Sequence, residues 1–190
     1  MTSTPNDAST EGLHPRIAEL MAELDASREE LRALVASVPP DALVRTTGDD
    51  GWSVAQILEH LAMVEDGSGR LFAKMLKTAE ASGERENDSS SVLGINDQYG
   101  IVTSNVRINA PDFIRPTAGL SPEESMARLD AARERLKQAM RRASGLALGK
   151  VSMPHPAFGP FSAYQWLLST AQHERRHMRQ IRRLVGLGEA

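Results

Sequence analysis

The chain has 190 residues, is 41% hydrophobic and 25% charged, and carries a net charge of -3. This is the composition of a folded protein with its own core, which excludes global disorder and any general electrostatic pull toward nucleic acid or anionic membrane. Cysteine is absent, which excludes disulfides, thiolate metal ligands and a cysteine nucleophile and fits a reducing cytoplasm.

Residues 1–12 are polar, lack the basic start and apolar run of a signal peptide, and are expected to form a disordered tail ahead of one domain over 13–188. No stretch approaches the roughly 20 apolar residues of a membrane span. A first helix is expected from His14 to Val38, where Ile17, Leu20, Leu24, Leu31, Leu34 and Val38 recur at three- and four-residue spacing. Pro39-Pro40 ends it.

The second helix opens at Trp52-Ser53-Val54-Ala55-Gln56-Ile57. Ser53 and Gln56 form a capping box, and Trp52 and Ile57 stand where a hydrophobic staple would close. It runs through His60, Val64, Leu71 and Met75 to about Lys77, weakened in its middle by Gly67-Ser68-Gly69 because each glycine costs about 1 kcal/mol against alanine. A connector follows from Ala81 to Leu120. So long a link suggests a crossover along a bundle or a cover over an active site. Within it ERENDSSS has the composition of a mobile loop, and RINAPDFIRP is apolar enough to lie on the bundle.

The third helix begins at Ser121-Pro122-Glu123-Glu124, an N-cap serine followed by proline and an acidic first turn, and ends near Ser144-Gly145. The fourth opens at Phe161-Ser162-Ala163-Tyr164-Gln165-Trp166 with the capping logic of the second, and runs to about Val185. Four amphipathic helices without a convincing strand predict an all-α four-helix bundle.

The fourth helix carries Gln172-His173-Glu174-Arg175-Arg176-His177. This satisfies H-E-x-x-H, in which two histidines hold zinc and the glutamate is a peptidase's general base. The peptidase reading needs a third ligand downstream, yet the residues after His177 contain no histidine. What remains is an i,i+4 pair lying about 40° apart on one helix face with Trp166, Thr170, Gln180 and Leu184. Such a pair can converge on one metal ion, or be two core histidines satisfied by hydrogen bonds. Glu174 projects away from the pair, as a surface salt-bridge partner or an orienting group. His60, on the apolar face of the second helix, is the inward histidine that could join them, with Gln56 and Glu59 beside it. His14 falls at the start of the first helix, and His155 in a proline-bracketed loop. The arginines at 175, 176, 179, 182 and 183 are expected to form a solvated face, and Arg107 and Arg115 could meet an anionic substrate.

WSVAQILEHL, followed more than a hundred residues later by HPAFGPFSAYQWLLSTAQHERRHMRQI, resembles the DinB/YfiT-like superfamily of metalloenzymes. The shared pattern is a tryptophan-serine helix start with a histidine seven residues after the serine, then H-x-x-x-H on the last helix. The resemblance implies an up-down-down-up bundle in which His60, His173 and His177 bind a divalent metal facially, with no assigned catalytic side chain. Zinc suits three imidazoles best, and nickel and ferrous iron also suit them. It further implies a cytoplasmic protein, often a homodimer, using a low-molecular-weight thiol of the mycothiol, bacillithiol or glutathione type for S-transfer. The alternative is a metal-binding or stress-associated bundle without turnover.

Overall fold

A computed structural model describes residues 12–46, 51–103, 110–117 and 119–188. The expected tail lies almost wholly outside the described residues, as do the first three residues of RINAPDFIRP, Arg107 among them. The elements are α1 (Pro15–Ala36), a single turn α2 (Pro40–Leu43), α3 (Val54–Ser82), α4 (Pro122–Ala143), a hairpin of β1 (Ser152–His155) and β2 (Gly159–Ser162), and α5 (Ala163–Leu184).

The three later long helices begin where a serine side chain satisfies an orphan amide. Ser53 Oγ accepts from the Gln56 N–H at 3.2 Å, while Gln56 Oε1 accepts from the Ser53 N–H at 2.9 Å. Ser121 with Glu124 and Ser162 with Gln165 repeat this reciprocal box. Phe161 meets Trp166 edge-on at 6.0 Å, stapling the start of α5. The glycine pair at 67 and 69 does not interrupt α3, which continues to Ser82 before Gly83 turns the chain at φ 65°. Packing outweighs the propensity loss there: Phe72, Met75, Leu76 and Ala79 beyond the glycines are all buried.

Two hydrophobic clusters fix the helix directions. One joins Ile17, Leu20, Met21 and Leu24 from the start of α1 to Phe72, Met75 and Leu76 from the end of α3. Leu136 and Met140 from the end of α4 and Leu167 and Leu168 from the start of α5 complete it. The other joins Leu31 and Leu34 from the end of α1 to Ile57, Leu58 and Leu61, Leu129, and Met178 and Ile181. Hence α1 and α5 run one way and α3 and α4 the other, which is the up-down-down-up bundle. Truncating any of these buried leucines to alanine costs about 2–5 kcal/mol.

Because α3 ends and α4 begins at opposite ends of the bundle, the link between them must travel its length. Its first part is held rather than mobile, unlike the composition of ERENDSSS suggests. The Glu86 N–H donates to the Gly145 carbonyl and the Ala147 N–H to the Glu84 carbonyl, both at 3.0 Å. The Arg16 guanidinium gathers Glu86, Asp88 and Ser90. Farther along, Asn96 Nδ2 donates to the Gln165 carbonyl and Gln172 Oε1, and Arg176 and Arg179 donate to the carbonyls of Ile101 and Val102. The link thus climbs α5 before reaching the start of α3.

The hairpin corrects the expectation of a strandless chain. Ser152 to His155 pair antiparallel with Gly159 to Ser162 around Gly159 at φ 81°. Two prolines, facing each other at Pro154 and Pro160, removed the usual strand signal from the sequence. No helix among the described residues is long and apolar enough to cross a membrane.

Candidate metal centre

His60 stands two turns into α3, and His173 and His177 one turn apart on α5. Capping sets the first and the heptad-like stripe of α5 sets the other two. The bundle brings the three together: one ring nitrogen from each lies within 4.8 Å of the others. Ring centroids are 4.5 Å apart for His173 and His177, 4.9 Å for His60 and His177, and 5.4 Å for His60 and His173. His60 is buried, while the other two are half-buried. No other group of three or more histidine or acidic side chains with this convergence occurs among the described residues.

The outward nitrogens of His60 and His177 are committed. His60 Nδ1 lies 2.8 Å from the Ile114 carbonyl and His177 Nδ1 2.8 Å from Gln180 Oε1. Both oxygens can only accept, so Nδ1 carries the proton in each ring and Nε2 keeps its lone pair. Nε2 of His177 then faces Nε2 of His173 at 3.2 Å. Two nitrogens bound to one tetrahedral zinc stand about 3.3 Å apart. The contact is short enough for a hydrogen bond between the two rings, and the same separation is that of two ligands on one ion, so the residues present fit a divalent metal.

Electrostatics keeps the rings neutral. Burial lowers His60 below its ordinary value against the opposing bond to Ile114. Burial, then the proximity of His177 and His60, holds His173 well below it. Burial, then His60, pushes His177 down to about 3. Neutral imidazole is the ligating form, so no proton need leave at neutral pH.

The surroundings divide into a wall and a mouth. The Trp52 ring lies 4.9 Å from that of His60. With Gln180, Arg183 and Leu184 it lines a shallow, open hollow of about 240 Å³, which reaches the triad only through the contacts of Trp52 with His60 and of Gln180 with His177. On the hairpin side, His155 stacks on Phe158 at 4.7 Å and lies 4.8 Å from Trp166, close enough for its charge to act on His173. Its Nδ1 accepts from the Ala157 N–H at 3.1 Å. His14 lies at the far end of the bundle, where its N–H donates to Ser144 Oγ at 2.8 Å.

Gln56 serves the cap, as its place in the capping box predicts, while several other neighbours take roles other than those expected. Glu59 accepts from the Thr117 N–H and hydroxyl at 3.1 and 2.7 Å and anchors the connector, leaving the orienting of His60 to a backbone carbonyl. No sequence signal marks Ile114 for that task, because any residue supplies a carbonyl. Gln180 was legible only as a residue on the histidine face. Glu174 is neither on the surface nor turned to the histidines. It is 2% exposed, with Arg28 and Arg133 on its oxygens and Ser27 donating to it. So held, it cannot polarise a water, and the peptidase role of its motif is lost. Nor is the arginine run simply solvated, since Arg175 reaches Glu23 and Glu30 on α1.

Comparison with known proteins agrees with this architecture. The family model described as the DinB superfamily matches residues 23–181. The uncharacterized protein YuaE of Bacillus subtilis (strain 168) is 25% identical over 134 residues, covering 70% of this chain and 76% of the relative. A crystal structure of TT2238, a four-helix bundle protein, superposes with a TM-score of 0.60 at 24% identity over 88% of this chain and 98% of that one.

Proposed function

The chain belongs to the DinB superfamily, and from that premise we propose that His60, His173 and His177 hold one divalent metal ion and present it to a small thiol for S-transfer. The observation that carries the reading is the convergence of one ring nitrogen from each histidine, with Nε2 of His173 and His177 at metal-ligand spacing and the outward nitrogens of His60 and His177 fixed by Ile114 and Gln180. Three protein ligands leave coordination positions open, the pattern of reactive rather than purely structural sites. Zinc is the first choice for three imidazoles, with nickel and ferrous iron as competitors. The metal, when bound, supplies the charge that converts a thiol to thiolate at neutral pH.

The chain's own residues do the rest. Ile114 and Gln180 orient the imidazoles, burial keeps them unprotonated, and the Trp52 pocket gives the cosubstrate a place beside them. The connector, which brings Ile114 against His60, limits water on one side. A second reading, a bundle whose metal ties α3 to α5 without turnover, is favoured by the burial of His60 beneath that connector.

Protein purified without a histidine tag is expected to bind one equivalent of zinc, and His60→Ala to lose it. No stoichiometric metal under any loading condition would sink both readings. Offering mycothiol, bacillithiol and glutathione with a chromogenic electrophile separates them: metal-dependent turnover supports transfer, and a melting shift alone supports the tie.

A further inference from the structure

Between the two hydrophobic clusters lies a closed ring of charge. Each long helix contributes one member: Arg28 from α1, Glu65 from α3, Arg133 from α4 and Glu174 from α5, each no more than 3% exposed. Arg28 donates to Glu65 Oε2 through Nη2 and to Glu174 Oε1 through Nε, both at 2.7 Å. Arg133 likewise reaches both carboxylates, Glu65 through Nε and Glu174 Oε2 through Nη2 at 3.2 Å, while its Nη1 donates to the Leu24 carbonyl. Asp130 takes the remaining Arg28 nitrogen and Ser27 the second Glu174 oxygen.

The distribution of sign is what matters. Both glutamates sit on the helices that carry the histidines, five residues beyond His60 and next to His173. Both arginines come from the other two helices, and each spans both glutamates. We propose that Arg28, Glu65, Arg133 and Glu174 are positioning residues that fix α3 against α5 in the one register that assembles the histidine triad; this rests on the metal reading above. The hydrophobic clusters above and below are non-directional and tolerate a ridge slipping into the next groove. A slip of one turn moves a helix about 5.4 Å, whereas a ligand set needs placement to about 0.5 Å. Paired, directional contacts add a penalty specific to the register, because any other setting leaves a buried charge without its partner.

Ionic rings in a core often add little stability and can be replaced by apolar side chains without loss. Positioning and stability are therefore separable by experiment. The variant Arg28→Met, Glu65→Leu, Arg133→Met, Glu174→Leu is compared with wild type for Tm, for zinc Kd by chelator competition, and for the distance between spin labels at Lys74→Cys and Arg182→Cys. The absence of cysteine in the chain makes that labelling clean. The expected result is a Tm equal to or above wild type, a broadened distance distribution, and zinc binding weakened at least tenfold. A folded variant with the wild-type distance and Kd overturns the proposal. Should the quadruple variant not fold, Arg133→Lys keeps the charge but loses the fork that spans two carboxylates. It is expected to broaden the distance and weaken zinc about fivefold, and wild-type values for both overturn the proposal. If wild type itself binds no zinc, the metal reading fails and the label distance alone decides the role of the ring.

Discussion

At the scale of single residues, His177 shows how burial prepares the site. Its imidazole is pushed down to about 3 in the fold, against an ordinary value near 6.5 in the unfolded chain. Between those values the unfolded chain binds the extra proton, so stability rises with pH in that window. In chelator-treated protein the contribution is fully present above about pH 6.5 and is drawn down as pH falls toward 3. Urea midpoints at pH 7.5, 6 and 5 are expected to fall, and to fall less steeply in His177→Gln; parallel slopes would remove His177 as the cause. Glu174 gives a second prediction at this scale. With both oxygens held by Arg28, Arg133 and Ser27 and the side chain 2% exposed, it is not presented to a water at the triad, so zinc-loaded protein is expected to leave casein intact. Cleavage abolished by Glu174→Gln would contradict this.

At the scale of elements, the capping boxes place chemistry as well as starting helices. Ser53 sets the first turn of α3, from which His60 projects two turns later, and Ser121 does the same for α4, which carries no histidine. Replacing either serine with alanine is expected to cost about 1 kcal/mol, or roughly 2–4 °C in Tm for a chain of this size. Ser53→Ala is expected to weaken zinc binding as well, and Ser121→Ala to leave it unchanged. Equal effects of the two on zinc would mean that the start of α3 does not position the ligand. The connector works at the same scale, since one carbonyl of it orients His60 and Thr117 fastens it to Glu59.

At the scale of the whole molecule, an ion held by the triad would tie α3 to α5 and so couple ligand to fold. A metal at 100 times its Kd adds about 2.7 kcal/mol to stability, expected as a Tm rise of roughly 5–10 °C. The rise should vanish with chelator and in His60→Ala. An unchanged Tm on saturation would show that the ion does not bridge the helices. The sequence alone determined the four long helices, the serine starts of the later three, and the shared face of His173 and His177, because caps and periodicity act over three or four residues. Only the tertiary structure decided which helices lie side by side, the path of the connector past His60, and the burial of Glu174. Its partners Arg28 and Ser27 are 146 and 147 residues away. A charged residue on a charged helix looks solvated until distant partners enclose it, and no local pattern records a pairing over that separation.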